Sequence, residues 1–335
     1  MAGTLDLMGS GAGTSSVLPA LADRDERGRR ILITAAVIVV TAAFVWTGKS
    51  PPAAVADCDY VWYAARALWQ GLDPYSAVRS QPGLHYPLFY PVTAAVLAAP
   101  LSALPLRLAS TVFLAGGMGA LAWVWSKEPW RLWGLTSAPA LNALLFCQWS
   151  PWLTAAVGLP WLGIVWAAKP SVGLAYVIGW PSRLVLGLAA ALTTVSLLLV
   201  PGWPAEWIST VRGAPYYLAP IQRPFGWVLL LAWVRWRRPE ARFLGALACI
   251  PHSSSLYEIL PLLLVARNRR ELAGLMALTF IGWALLLWRV PVHPSHVPLV
   301  LAAQWPYLLL FGYLPPMLLL IRQPAVSSHP DLESS

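Results

Sequence analysis

Two carboxylates, Asp57 and Asp59, lie in the stretch AVADCDYVWYAARALWQGLDPY (54–75), directly after the first hydrophobic segment. A carboxylate at a membrane boundary, beside an aromatic and amphipathic stretch, is placed to act as a general base toward a hydroxyl. Aspartate also caps helices, so Asp57 has a structural reading as the start of a surface helix. Further along, Lys169 precedes a proline, and His252 and Glu258 bracket the segment PHSSSLYE (251–258). Ionisable groups within apolar segments are functional candidates by default, although Lys169 can equally snorkel to the cytoplasmic surface. The three cysteines, Cys58, Cys147 and Cys249, are odd in number, far apart and free of any CxxC pair. They suggest no disulfide framework, metal site or redox motif.

The elements that hold these residues are membrane helices. The chain is 58% hydrophobic and 11% charged, against about 25% charged for a soluble domain. Several apolar runs approach the roughly 20 residues a span requires. The formal charge of +9 is spread through short loops, which fits topology and gives no groove for nucleic acid. Tryptophans, 20 in number, suit the interfaces, and 31 prolines suit broken or re-entrant helices.

The expected fold is all-α and polytopic, with about 9–11 transmembrane or re-entrant segments. Residues 1–30 read as a disordered cytoplasmic N-terminus, 31–322 as the membrane domain and 323–335 as a tail. Arg24, Arg27, Arg29 and Arg30 precede the apolar run Ile31–Trp46, which reads as an uncleaved signal-anchor with its N-terminus in the cytoplasm. Residues 49–86 then face outward. Within them, 60–70 forms an amphipathic helix along the membrane surface, with Val61, Ala64, Ala65 and Leu68 on one face. Gly71 ends it, and Asp73 is a turn residue.

Leu88–Leu104 is expected to return inward and Leu106–Trp125 to go out again. Prolines break 132–182, Arg183–Val200 is a helix, and 201–224 is a second outer loop. Basic clusters at 235–242 and 267–270 both prefer the cytoplasm, yet the chain between them is too short for a full hairpin. Either two half-helices meet near 251–258 inside the bilayer, or the charge rule is breached there. Leu272–Trp288 and Leu299–Ile321 complete the set.

Several motifs resemble one membrane-enzyme family. They are Asp57, then Gly71, Asp73-Pro74-Tyr75, then His85-Tyr86-Pro87-Leu88, then Tyr90-Pro91. Later come Cys147-Gln148-Trp149-Ser150, Lys169-Pro170, and Pro251-His252-Ser253 with Tyr257-Glu258. Their order over about residues 50–270 resembles the C-superfamily glycosyltransferases, in particular polyprenyl-phosphate-mannose-dependent α-(1→2)-mannosyltransferases. Cys147 replaces the family's usual glycine, Cys58 replaces its usual aromatic, and the C-terminal part is short.

The resemblance implies an inverting transfer of a hexose, mannose in this family, at the outer membrane face. The donor would be a polyprenyl-phosphate-linked sugar and the acceptor a glycolipid or cell-envelope glycan, with no cofactor. Asp57 matches the family's base, with Asp59 as the internal alternative. One carboxylate suffices for inversion when the leaving group is a phosphate. Charge develops on that phosphate, so His252, Arg212, Arg223 and Lys169 are candidates to face it. His85, Tyr86, Gln148, Tyr257 and Glu258 are candidate substrate contacts. Each has a structural alternative: His252 as a loop histidine, the arginines as headgroup contacts, His85 and Tyr86 as interface residues. Gln148 could satisfy the backbone freed by Pro151, and Glu258 could orient His252. No metal-ligand constellation is evident. A transporter or a lipid flippase without chemistry is the rival class, and the lack of an internal repeat disfavours a carrier.

Overall fold

A computed structural model describes residues 17–48, 56–84, 86–214, 217–289 and 303–324. In chain order its helices are α1 (Val17–Thr47), α2 (Asp57–Trp69), α3 (Pro74–Ser80), α4 (Val92–Ser102), α5 (Leu106–Trp125), α6 (Ala138–Leu145) and α7 (Ser150–Ala155). They continue as α8 (Pro170–Gly179), α9 (Arg183–Leu199), α10 (Trp203–Arg212), α11 (Pro239–Cys249), α12 (Arg269–Arg289) and α13 (Trp305–Arg322). Tighter 3-10 segments cover Pro129–Thr136, Pro160–Ala168, Gly226–Arg235 and Leu256–Val265. Among the described residues the only β pairing is an isolated bridge between Leu218 and His252.

The all-α membrane class holds; the expected 9–11 segments counted spanning and re-entrant helices together, and the structure separates long helices from the shorter apolar ones Val92–Ser102, Pro170–Gly179, Gly226–Arg235 and Leu256–Val265. Among the described residues four helices are long and apolar enough to cross a membrane: Asp25–Thr47 within α1, then α5, α12 and α13. A fifth is possible if α9 and α10, bent by 101°, count as one. Proline explains the difference. It sits in the first turn of α6, α7, α8 and α11, where its missing N–H costs nothing but an upstream helix must stop. The sequence runs that look like spans are therefore halves.

The direction of α5 also departs from expectation. Arg30 in α1 donates to Ser126 Oγ (3.1 Å) and to the Trp123 carbonyl (2.9 Å), beyond and at the end of α5. At the other end Arg107 donates to the Trp46 carbonyl and lies 4.7 Å from the Trp46 ring. The two helices are thus antiparallel, and Gly119 lets them close on Ile38. The intervening α4 has 11 residues, about 16 Å, which is half of a ~30 Å core. It packs against α2 and turns back rather than crossing.

One face of the molecule gathers the two basic clusters, 235–242 and 267–270. Arg235 donates to the Ile321 carbonyl (2.7 Å), Arg238 to Pro324 (2.8 Å), Arg242 to Gly179 (2.7 Å), and Gln323 to Val265 (3.0 Å). The start of α11 and the end of Leu256–Val265 therefore leave the same face and meet at residues 250–255. This is the half-helix solution to the two basic clusters. On the opposite side Arg79 pairs with Glu206 (3.4 Å), and Trp207 Nε1 donates to the Phe89 carbonyl (2.9 Å).

Three further expectations change. Helix α1 starts at Val17, so the basic cluster at 24–30 is helical; residues 1–16 lie outside the described ones, as does 325–335 of the tail. Helix α2 buries Val61, Ala64 and Ala65 as expected, but also Asp59, Tyr60, Trp62 and Ala67. It is thus embedded in protein over most of its circumference. Gly71, at φ 66°, ends it, and Asp73 caps α3 by accepting from the Ser76 N–H (2.8 Å). Finally, Cys58 and Cys147 form a disulfide with Cα atoms 5.5 Å apart across a sequence separation of 89. Spacing alone could not show a pairing created by tertiary docking.

Candidate functional site

Four chain breaks and one loop deliver polar groups to the same place. Asp57 is the first residue of α2, where Ala56 holds the cap position without a side-chain bond. Its carboxylate does not cap the helix. Instead Oδ2 accepts from the Tyr90 hydroxyl at 2.6 Å, and the Gln148 amide also bonds it. The Asp57 backbone N–H donates to Phe146 (3.1 Å), so the α6–α7 break docks directly on the start of α2.

Glu258 organises the second half of the site. Its Oε1 takes Lys169 Nζ at 2.9 Å and the Ser253 hydroxyl at 2.8 Å; Oε2 lies 3.5 Å from His252 Nε2 and takes the Ser255 N–H at 3.4 Å. Lys169, Glu258 and His252 are 5%, 2% and 0% exposed. Buried charges of this kind persist only when paired and hydrogen-bonded. Lys169 sits between Pro160–Ala168 and α8, so its pair with Glu258 joins two separate breaks. Its ammonium also lies 4.8 Å from the Tyr257 ring.

The outer loop closes the arrangement. Leu218 bridges His252, while Tyr217 stacks on Phe89 at 5.8 Å and lies close enough to Lys169, Glu258 and Asp57 to feel their charge. Arg223 stands 5.6 Å from the Trp305 ring and within electrostatic range of Tyr313 and Glu258. His252 Nε2 is 3.3 Å from the Tyr313 hydroxyl, and Nδ1 donates to the Ile250 carbonyl at 2.7 Å.

Local backbone fits this use. Cys147 (φ 50°) and Ser254 (φ 49°) adopt left-handed conformations at two of the breaks. Such strain is held by surrounding structure and clusters at functional sites. Gln148 Oε1 and Ser254 Oγ are buried without a hydrogen-bond partner among the described residues, leaving capacity for a ligand.

Seven of the sequence candidates thus converge: Asp57, Gln148, Lys169, Arg223, His252, Tyr257 and Glu258. Four do not. Asp59 is buried on another face of α2, consistent with its two-residue offset. Arg212 is exposed at the end of α10. Tyr86 is half-buried, its N–H donating to the Tyr60 hydroxyl (3.3 Å). His85 lies outside the described residues. Lys169 is no snorkelling cation, and Glu258 lies beside His252 as one of its two readings required.

The sequence reading did not assign Tyr90, Ser253, Tyr217 or Tyr313 to the site. Tyr90 carried a signal, as the tyrosine before Pro91. Ser253 carried one too, in Pro251-His252-Ser253, whereas Tyr217 and Tyr313 are recognisable only once the breaks are assembled.

The two aspartates differ electrostatically. Burial raises the Asp57 carboxyl above its ordinary range, while Lys169, Tyr90 and Gln148 pull it down without reversing the shift. A raised carboxyl is a stronger base. Burial, then the Asp57 charge, push Asp59 up to about 7. No group of three His, Cys, Asp or Glu able to hold a metal occurs among the described residues.

Compared with protein-family models, with curated proteins and with solved structures, the chain matches none.

Proposed function

We propose that the chain is an inverting glycosyltransferase that moves a hexose, mannose by resemblance, from a polyprenyl-phosphate donor to a glycolipid or cell-envelope glycan. The observation that carries this reading is the convergence of Asp57, Gln148, Lys169, His252 and Glu258 from four separate chain breaks. These are the residues on which the family resemblance rests.

In this reading the acceptor hydroxyl gives its proton to Asp57 as its oxygen attacks the anomeric carbon. The anomeric carbon–oxygen bond to phosphate breaks, and the electron pair leaves as a phosphomonoester. Arg223 faces the growing negative charge, which a fixed donor in a water-poor site stabilises. His252, its Nδ1 committed to Ile250 and its Nε2 set beside Glu258 and Tyr313, fixes the wall behind it. Glu258 holds Lys169 and His252 in place. Asp57 is only partly buried as a residue, although its carboxyl is enclosed. The basic face takes the cytoplasmic side by the charge rule, which turns the Asp57 end of the site toward the outer face of the plasma membrane. A disulfide beside Asp57 agrees, since such bonds persist in oxidising compartments.

The test incubates membranes containing the full chain with labelled polyprenyl-phosphate-mannose and a lipid extract. Transfer should fall by roughly 10²–10⁴ in Asp57→Asn and persist in Asp59→Asn. Equal activity in Asp57→Asn would discard the mechanism, and the reverse pattern would move the base to Asp59.

One observation favours a second reading. Half-helices meeting at ionisable tips also build the sites of carriers, and the Lys169–Glu258–His252 network has that form. A carrier or flippase would move labelled lipid or solute across proteoliposomes without forming a new glycosidic bond.

A further inference from the structure

We infer that the Cys58–Cys147 disulfide is the positioning bond of the polar site, so that the site is completed only when these two thiols are oxidised. Cys58 immediately follows Asp57, and Cys147 immediately precedes Gln148. The bond therefore lies between the two residues whose side chains meet, and it fixes the start of α2 against the α6–α7 break. Among the described residues the hydrogen bonds across this junction are the Asp57 N–H to the Phe146 carbonyl (3.1 Å) and the side-chain bond between Gln148 and Asp57.

Cys147 also occupies a left-handed conformation, φ 50°, which glycine adopts without the steric cost a Cβ brings. A residue bearing a side chain there is strained, and the cross-link is what that side chain provides. The Glu258 network has no covalent tie of its own and contacts Asp57 only through space. Opening the disulfide should therefore release Asp57 and Gln148 and leave Lys169, Glu258 and His252 together.

Cys58 is partly exposed, while Cys147 is buried. Cys58 lines an apolar crevice with Val61, Trp62, Ala109, Ser110 and Phe113, and the Ser110 hydroxyl stands 3.4 Å from its sulfur. Closure is a thiol–disulfide exchange with an oxidised dithiol carrier. One protein thiolate attacks the carrier disulfide, the second protein thiolate displaces the carrier sulfur, and the carrier leaves as its dithiol. Two electrons and two protons pass to the carrier.

The positioning role rests on the reading of Asp57 as the base; the bond and its mechanical effect do not. The experiment uses the full chain in membranes, native or reduced, beside the variant Cys58→Ala with Cys147→Gly. Mass-tagging of thiols counts the bond. Labelling by dicyclohexylcarbodiimide, read by mass spectrometry at Asp57 and Glu258 across pH, reports each carboxyl separately. Transfer from labelled polyprenyl-phosphate-mannose is then measured.

The expected result is tagging of Cys249 alone before reduction and of all three cysteines after it. Reduction or the double variant should change Asp57 labelling by about tenfold, the equivalent of one pKa unit, with Glu258 unchanged. The kcat of transfer should fall, with KM for the donor held. Three free thiols in untreated membranes would overturn the inference. So would unchanged Asp57 labelling on reduction, or a parallel rise at Glu258, which marks a general staple. If Asp57 labelling shifts alone but no form transfers sugar, the positioning stands and the proposed function fails.

Discussion

The long helices and the broken ones solve the same problem in opposite ways. Helix α1 buries only 6% of its most apolar window and α12 only 28%, yet both are unbroken. A continuous helix satisfies its own backbone, so it can face lipid with no help from neighbours. The elements α6, α7, α8, α11 and Leu256–Val265 stop partway, and their free N–H and C=O groups must find partners in protein. The polar tips that result are the site. Interruption is thus what lets an apolar chain hold Asp57, Lys169 and Glu258 together, and the surrounding long helices supply the wall.

This contrast can be broken most forcefully at the tips. Glu258→Gln leaves Lys169 buried and uncompensated, a loss of about 3–5 kcal/mol for such pairs. A thermal melt in detergent should show a large drop, mostly recovered when Lys169→Met is added. A melt unchanged by Glu258→Gln would mean that the tips are not mutually dependent.

Asp59 should give the next largest effect, with opposite sign. Its folded carboxyl lies at about 7 against an ordinary 3.8, so between those values the native state binds more protons than the unfolded chain. Stability must therefore fall as pH rises through that window, by roughly 4 kcal/mol at most. Asp59→Asn should melt higher than the native chain at pH 8, with the gap closing toward pH 4. A gap that does not depend on pH would contradict the assignment.

Tyr90→Phe removes a hydrogen bond to a charged group, worth about 1.5–3 kcal/mol. Because that bond lowers the Asp57 carboxyl, the acid limb of the transfer–pH profile should move to higher pH. An unmoved limb would separate Tyr90 from the base. At the far surface, Arg79→Ala breaks an exposed ion pair with Glu206 and should change the melt by less than about 1 kcal/mol. A loss as large as that at Glu258 would erase the distinction between tip and periphery.

The parts of this arrangement that were legible in sequence share one cause. Charge is so costly in an apolar chain that Asp57, Lys169, His252 and Glu258 stand out singly. The spacing of two arginine clusters likewise left two alternatives, a half-helix pair around 251–258 or a breach of the charge rule. The reversal of α5 was hidden, because an 11-residue α4 with flanking prolines looks as apolar as a true crossing. The disulfide was hidden for a different reason. A pairing over 89 residues comes from docking α2 on the α6–α7 break, and no local pattern encodes it. Tyr217 and Tyr313 are ordinary interface residues until the loop and α13 fold onto His252.

The most direct test of the convergent site is the structure of the full chain determined by electron cryomicroscopy with a polyprenyl phosphate bound. The account predicts the phosphate among Arg223, His252 and Lys169, on the side of Asp57 and away from the basic face, with at least one oxygen at hydrogen-bonding distance, about 3 Å. Phosphate density at the cluster of Arg235, Arg238 and Arg242, or anywhere out of reach of Asp57, would contradict it.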